Sequence, residues 1–177
     1  MQSNLVTYLH DHLAGSHFAV ELLKSLQNQF PNELGLFVQE TLTEVRQDQA
    51  TLLSIVDRIG EGKFDFYQFA GWLSEKVSRL KLHEDGSAMG IGTLEALEAL
   101  ALGIQGKLAL WRSLNAIETT DARLSGYGFP VLIEKAEAQF RRVEEERIAV
   151  VRRVLSAPAS PAVKEEVVAA TPTGPGN

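Results

Sequence analysis

The sequence predicts an all-α protein, a four-helix bundle in which one long crossover containing a short extra helix joins two helical pairs. Three observations carry this prediction. Four segments of about 25 to 29 residues place apolar side chains at helical spacing. The break between the first and second segments, Phe30-Pro31-Asn32, is short enough to be a turn, whereas about thirty residues separate the second from the third. Apolar residues make up 45% and charged residues 23% of 177, so one domain has enough apolar surface for a core.

The first helix is expected over about residues 3 to 29. Its stripe runs through Leu5, Tyr8 or Leu9, His12, Gly15, Ala19, Leu22 or Leu23 and Leu26, with His10, His17, Glu21, Lys24 and Asn28 opposite. Pro31 disfavours helix at Phe30, and Asn32 is a good N-cap, so a second helix is expected from about 32 to 60. It turns Leu34, Phe37 or Val38, Thr41, Val45, Asp48, Leu52, Val56 and Ile59 inward and Glu40, Glu44, Gln47, Thr51 and Arg58 outward, and Gly60 stops it.

The crossover holds Phe64, Phe66, Tyr67, Phe69 and Trp72, then Leu73, Val77, Leu80 and Leu82, and predicts a shorter helix over about 66 to 82. The third long helix is expected from Thr93 to about 117, with Glu95 and Glu98 near its positive end. Leu94, Leu97, Leu100, Leu102, Ile104, Leu108 and Trp111 make it apolar nearly all round, so it should lie under the connecting helix or against a second subunit. The fourth starts near Pro130 and runs to about Leu155 through Leu132 or Ile133, Ala136, Phe140, Val143, Arg147, Val150 and Val154, with Arg141, Glu144, Glu145 and Arg152 outside.

Residues 3–155 thus form the expected bundle domain. Residues 156–177 hold four of the six prolines and no aromatic side chain, the composition of a disordered C-terminal tail. A formal charge of −6 argues against nucleic acid as a partner. No apolar run approaches a membrane span, and the N-terminus has no signal-peptide pattern, so a cytoplasmic location is expected. The absence of cysteine excludes a disulfide scaffold and a thiol nucleophile, and no serine stands in a strand-turn-helix context.

Two long helices, a crossover and two more long helices resemble the ferritin-like superfamily, and the opening Tyr8-Leu9-His10-Asp11-His12-Leu13-Ala14-Gly15-Ser16 is similar to the start of uncharacterised bacterial ferritin-like proteins. The resemblance covers about residues 3 to 155. It implies a di-iron site built from one Glu on each of two helices and a Glu-x-x-His pair on each of the others. No histidine here has a Glu three residues before it. Glu44-x-x-Gln47 offers an amide in place of imidazole, Glu134 is followed by Glu137, and Glu144 is followed by Arg147, a cation that would repel a metal. Glu21 and Glu98 are the single carboxylates available on the first and third helices. The leading reading therefore carries no metal.

His12 and Asp48 both fall on apolar stripes at about the same height and are expected to meet, as a satisfied polar pair or as part of a metal site. His10 and His17 read as solvated, and His83 stands in a loop. Gly15 and Ala19, with Ala99, Gly103 and Gly106, are small residues inside otherwise good helix formers, which predicts close helix approach. Gly90-Ile91-Gly92-Thr93 reads as a loop and cap, since no strand precedes it and no P-loop lysine follows in register. Arg141-Arg142 and Arg152-Arg153 alternate with Glu144, Glu145 and Glu146 as on a solvated face.

Three readings of function follow. The leading one is a non-enzymatic, cytoplasmic bacterial protein, a homodimer with an interaction or scaffolding role toward an unidentified protein partner. The second is a metal-dependent redox or iron-handling protein with an atypical site at His12, Asp48 and Glu98. The third is a small-molecule binding bundle with its pocket under Phe66, Phe69 and Trp72.

Overall fold

A computed structural model describes residues 3–60 and 89–156. These form four long helices, with no strand among the described residues: α1 (Asn4–Gln29), α2 (Gly35–Ile59), α3 (Ile91–Ile117) and α4 (Phe129–Val154). The expected helix at 66–82, the aromatic residues from Phe64 to Trp72, His83 and the tail from residue 157 lie outside the described residues.

Local chemistry sets the ends. Ser3 caps α1 by accepting from the Val6 amide at 3.3 Å. At Phe30 the chain leaves the helix, and the Leu34 amide then bonds back to the Phe30 carbonyl at 3.0 Å. That tight turn delays α2 to Gly35, and Asn32 does not cap it: the N-cap position is Leu34. Gly60 ends α2 with φ 71°, a left-handed conformation that glycine adopts without steric penalty. α3 begins two residues before Thr93, because the Thr93 and Leu94 amides both reach the Gly90 carbonyl, and Thr93 itself is buried. Between α3 and α4 a short 3-10 turn (Ala122–Leu124) is capped by Asp121, which accepts from the Arg123 amide at 3.1 Å. Pro130 stands in the first turn of α4.

The core has two halves. One joins Leu22, Leu23 and Leu26 of α1 to Leu34 and Val38, to Leu97 and Leu100, and to Val143 and Val150. The other joins Leu9 and Leu13 to Leu52 and Ile55, to Trp111 and Leu114, and to Phe129 and Ala136. α1 and α4 therefore run in one direction and α2 and α3 in the other. Gly60 and Ile91 consequently lie at opposite ends of the bundle, about 37 Å apart for a helix of α2's 25 residues.

The buried faces differ from the expected stripes by about one position on two helices. On α1 the buried line is Val6, Leu9, Leu13 and Val20, whereas His12 and Ala19 are half-buried and Gly15 is exposed. This rotation buries long aliphatic side chains in place of an imidazole and a glycine. On α4, Gln139 is buried while Phe140 is half-buried. Arg147, expected inward, turns to Glu144 at 2.7 Å and Glu98 at 3.5 Å on the outer surface. On α3, Leu102 is 73% exposed. Among the described residues, no helix is long and apolar enough to cross a membrane.

Candidate functional site

Where the two halves of the core part, every helix contributes polar or small residues at the same level. On α1 this level lies between Leu13 and Val20, on α2 between Val45 and Leu52, on α3 between Ile104 and Leu108, and on α4 between Ala136 and Val143. It holds Gly15 and Ser16, Asp48 and Gln49, Lys107, and Gln139. Helical bundles build ligand and metal sites from facing side chains in this way.

Lys107 organises the level. Its ammonium donates to the Asp48 carboxylate on α2 and to the Gln139 side-chain oxygen on α4, so one side chain from α3 ties three helices. The Lys107 and Asp48 side chains are each only 15% exposed, which removes most of the solvent screening that weakens surface ion pairs. Gln139 passes the network on, donating Nε2 to Glu44 Oε2 at 2.8 Å, and Arg142 donates to the same oxygen. Glu44, expected on the outer face, thus faces α4. The buried Gln139 amide is satisfied at both its oxygen and its nitrogen, the condition under which a polar group is tolerated in a core.

Beside this network, α1, α2 and α3 line a partly open cavity of about 220 Å³. Apolar atoms dominate its wall, with Val45, Leu52, Ile104, Leu110 and Trp111 among the lining residues. Its polar lining consists of Asp11, the Lys107 and Asp48 pair, His12, Gln49 and the Ser16 hydroxyl, which accepts from Gln49 Nε2 at 2.9 Å. Trp111 is buried, and its indole N–H makes no hydrogen bond among the described residues.

Sequence reasoning brought His12 and Asp48 to one place, and both do line this cavity. They do not pair. The Asp48 carboxylate is taken by Lys107, and His12 packs edge-on against the Tyr8 ring at 4.6 Å. Burial holds the His12 imidazole below its ordinary value, opposed by the nearby Asp11 charge, and burial likewise lowers His17. Glu98 is elsewhere: it borders a shallow surface hollow with Leu102, Phe140 and Arg147. Among the described residues, no three His, Asp or Glu side chains stand together as a metal site. His12, Asp48 and Glu98 therefore do not converge.

The glycines play a different part from the one their spacing implied. Gly15, Gly103 and Gly106 all line the cavity, and a Cβ added at Gly15 or Gly103 would have nothing within 4 Å. At Gly106 it would come no nearer than 4.0 Å, to His12 Cε1. No close backbone contact explains them; they leave space between α1 and α3.

Lys107, Gln139 and Trp111 had no signal as site residues in the sequence. Lysine and glutamine are usually solvated, and a tryptophan on an apolar stripe reads as core. Comparison with known proteins finds no matching family model, no matching curated protein and no matching solved structure.

Proposed function

We propose that the protein is a non-enzymatic, ferritin-like bundle that binds a small molecule inside the helices, in the cavity between α1, α2 and α3. The observation that carries this reading is the cavity itself: a partly open cleft lined by three helices, apolar over most of its wall and polar at a few points, as small-molecule sites are. The parallel course of α2 and α3, with one connection between opposite ends of the bundle, supports the ferritin-like relationship. At the level where such bundles gather carboxylates and imidazoles, this chain carries an ammonium, and Asp48 is neutralised by Lys107 and not left free as a base or ligand. Binding fits that arrangement better than iron chemistry does.

The test is a titration of the full chain with ethylbenzene, followed by amide NMR. Saturable shifts confined to the cavity wall, at Ser16, Gln49, Gly106 and Trp111, are expected, together with their loss in Gly106→Leu, whose side chain fills the space. Shifts scattered over the surface, or none, would end this reading.

A second reading, the homodimer, has one observation in its favour. Leu102 projects from the most apolar helix with 73% of its surface exposed, beside the Ala101 and Phe140 of the same hollow. Apolar side chains grouped this way mark contact surfaces more often than isolated ones do.

A further inference from the structure

The cavity grades from an apolar floor to a charged mouth. Of its lining residues, Val45, Leu52, Ile104 and Leu110 are buried, whereas Asp11, Gly15 and Gly103 are exposed. The opening therefore lies between α1 and α3, and the two glycines leave it clear, since a Cβ at either would meet nothing within 4 Å. Of these three exposed residues, Asp11 alone carries a charge.

That charge is uncompensated. Asp48 is answered by Lys107, and burial lowers the His12 imidazole, which is neutral at neutral pH, so Asp11 is left as the net charge of the lining. Asp11 makes no ion pair among the described residues. A carboxylate at the rim of an apolar cleft attracts a cation and repels an anion. Because Asp11 is exposed, a cation that meets it keeps much of its water and avoids the desolvation cost of a buried charge. Size limits the rest of the molecule. An apolar cavity of about 150 Å³ takes benzene, so one of about 220 Å³ takes roughly nine heavy atoms by the same scaling.

Resting on the reading of this cavity as a small-molecule site, we infer that its occupant is a small organic ammonium, whose apolar ring fills the floor and whose protonated amine stays at the mouth against the Asp11 carboxylate. Asp11 thereby selects for charge, and the apolar floor supplies the bulk of the contact. At so exposed a position solvent screens the pair, and the ammonium raises affinity by about three- to fivefold.

The experiment titrates the full-length 15N-labelled protein, at neutral pH and low salt, with three ligands of equal heavy-atom count: protonated phenethylamine, propylbenzene, in which a methyl replaces the ammonium, and benzoate, an anion. Saturable binding of phenethylammonium is expected, with amide shifts at Asp11, Leu52 and Leu110 and with no binding of benzoate. Asp11→Asn, a change of one surface atom, is expected to lower the affinity for phenethylammonium relative to propylbenzene by about three- to fivefold, and added salt to weaken phenethylammonium in the parent protein. An affinity ratio unchanged by Asp11→Asn, or benzoate bound as tightly as phenethylammonium, overturns the inference. Saturable binding of propylbenzene alone also overturns it while leaving a cavity that takes apolar rings. Binding of none of the three overturns both readings.

Discussion

The Lys107 ammonium on α3 is held by the Asp48 carboxylate on α2, and both side chains are largely withdrawn from water at the level where the two halves of the core part. Gln139 on α4 accepts from the same ammonium and donates onward to Glu44. The network joins helices that are distant in sequence.

Removing one member strands the others. Lys107→Met leaves the Asp48 charge and the Gln139 oxygen without their donor, and is expected to cost about 2 to 4 kcal/mol. Adding Asp48→Leu removes the stranded charge, so the double variant should be less destabilised than the two single variants summed, by about 1 to 3 kcal/mol. Urea unfolding of the four proteins measures both quantities.

Gly15 and Gly103 offer the opposite case. Each lies within a long helix with open space where a Cβ would stand, so Gly15→Ala and Gly103→Ala are each expected to raise stability by about 0.5 to 1 kcal/mol. Close packing of α1 against α3 at these glycines would instead make both substitutions destabilising. Thermal unfolding distinguishes the two.

The pH dependence follows from His12 and His17. Burial lowers both imidazoles below the ordinary value of 6.5, so the unfolded chain binds protons more readily than the folded one. Stability is therefore complete above that value and is lost as pH falls from about 6.5 through the depressed folded values. Unfolding free energies from pH 8 down to pH 5 should decline across this window. His12→Gln, which cannot take up the proton, should flatten part of the decline.

Leu102→Lys separates folding from association. With 73% of its surface already exposed, Leu102 contributes little to the core, and the substitution is expected to change stability by less than about 0.5 kcal/mol. If the hollow beside Phe140 is where two copies meet, the variant should sediment as a monomer at concentrations where the parent sediments as a dimer.

Much of the fold was legible along the chain, and the reasons are local. Ser3, Gly60 and Pro130 mark helix ends through hydrogen bonds and backbone angles that depend on few neighbours. The candidate site was legible only in part. His12 and Asp48 were placed at one height correctly because the turn at Phe30 to Leu34 fixes the register of α1 against α2. Their partners were not, because a helical stripe read from spacing is uncertain by one residue, about 100° of rotation. That margin decides whether Arg147 meets the core or Glu98.

The sequence by itself determined that this protein is helical, where its four long helices fall, and which of them pair across short turns, because periodicity, caps and turns are properties of contiguous residues. Only the tertiary structure decided that Asp48 would answer to Lys107 and not to His12, that Gln139 would be buried, and that three glycines would line an open cavity. Those outcomes depend on which groups on separate helices can satisfy one another once water is excluded, and no spacing along one helix encodes that.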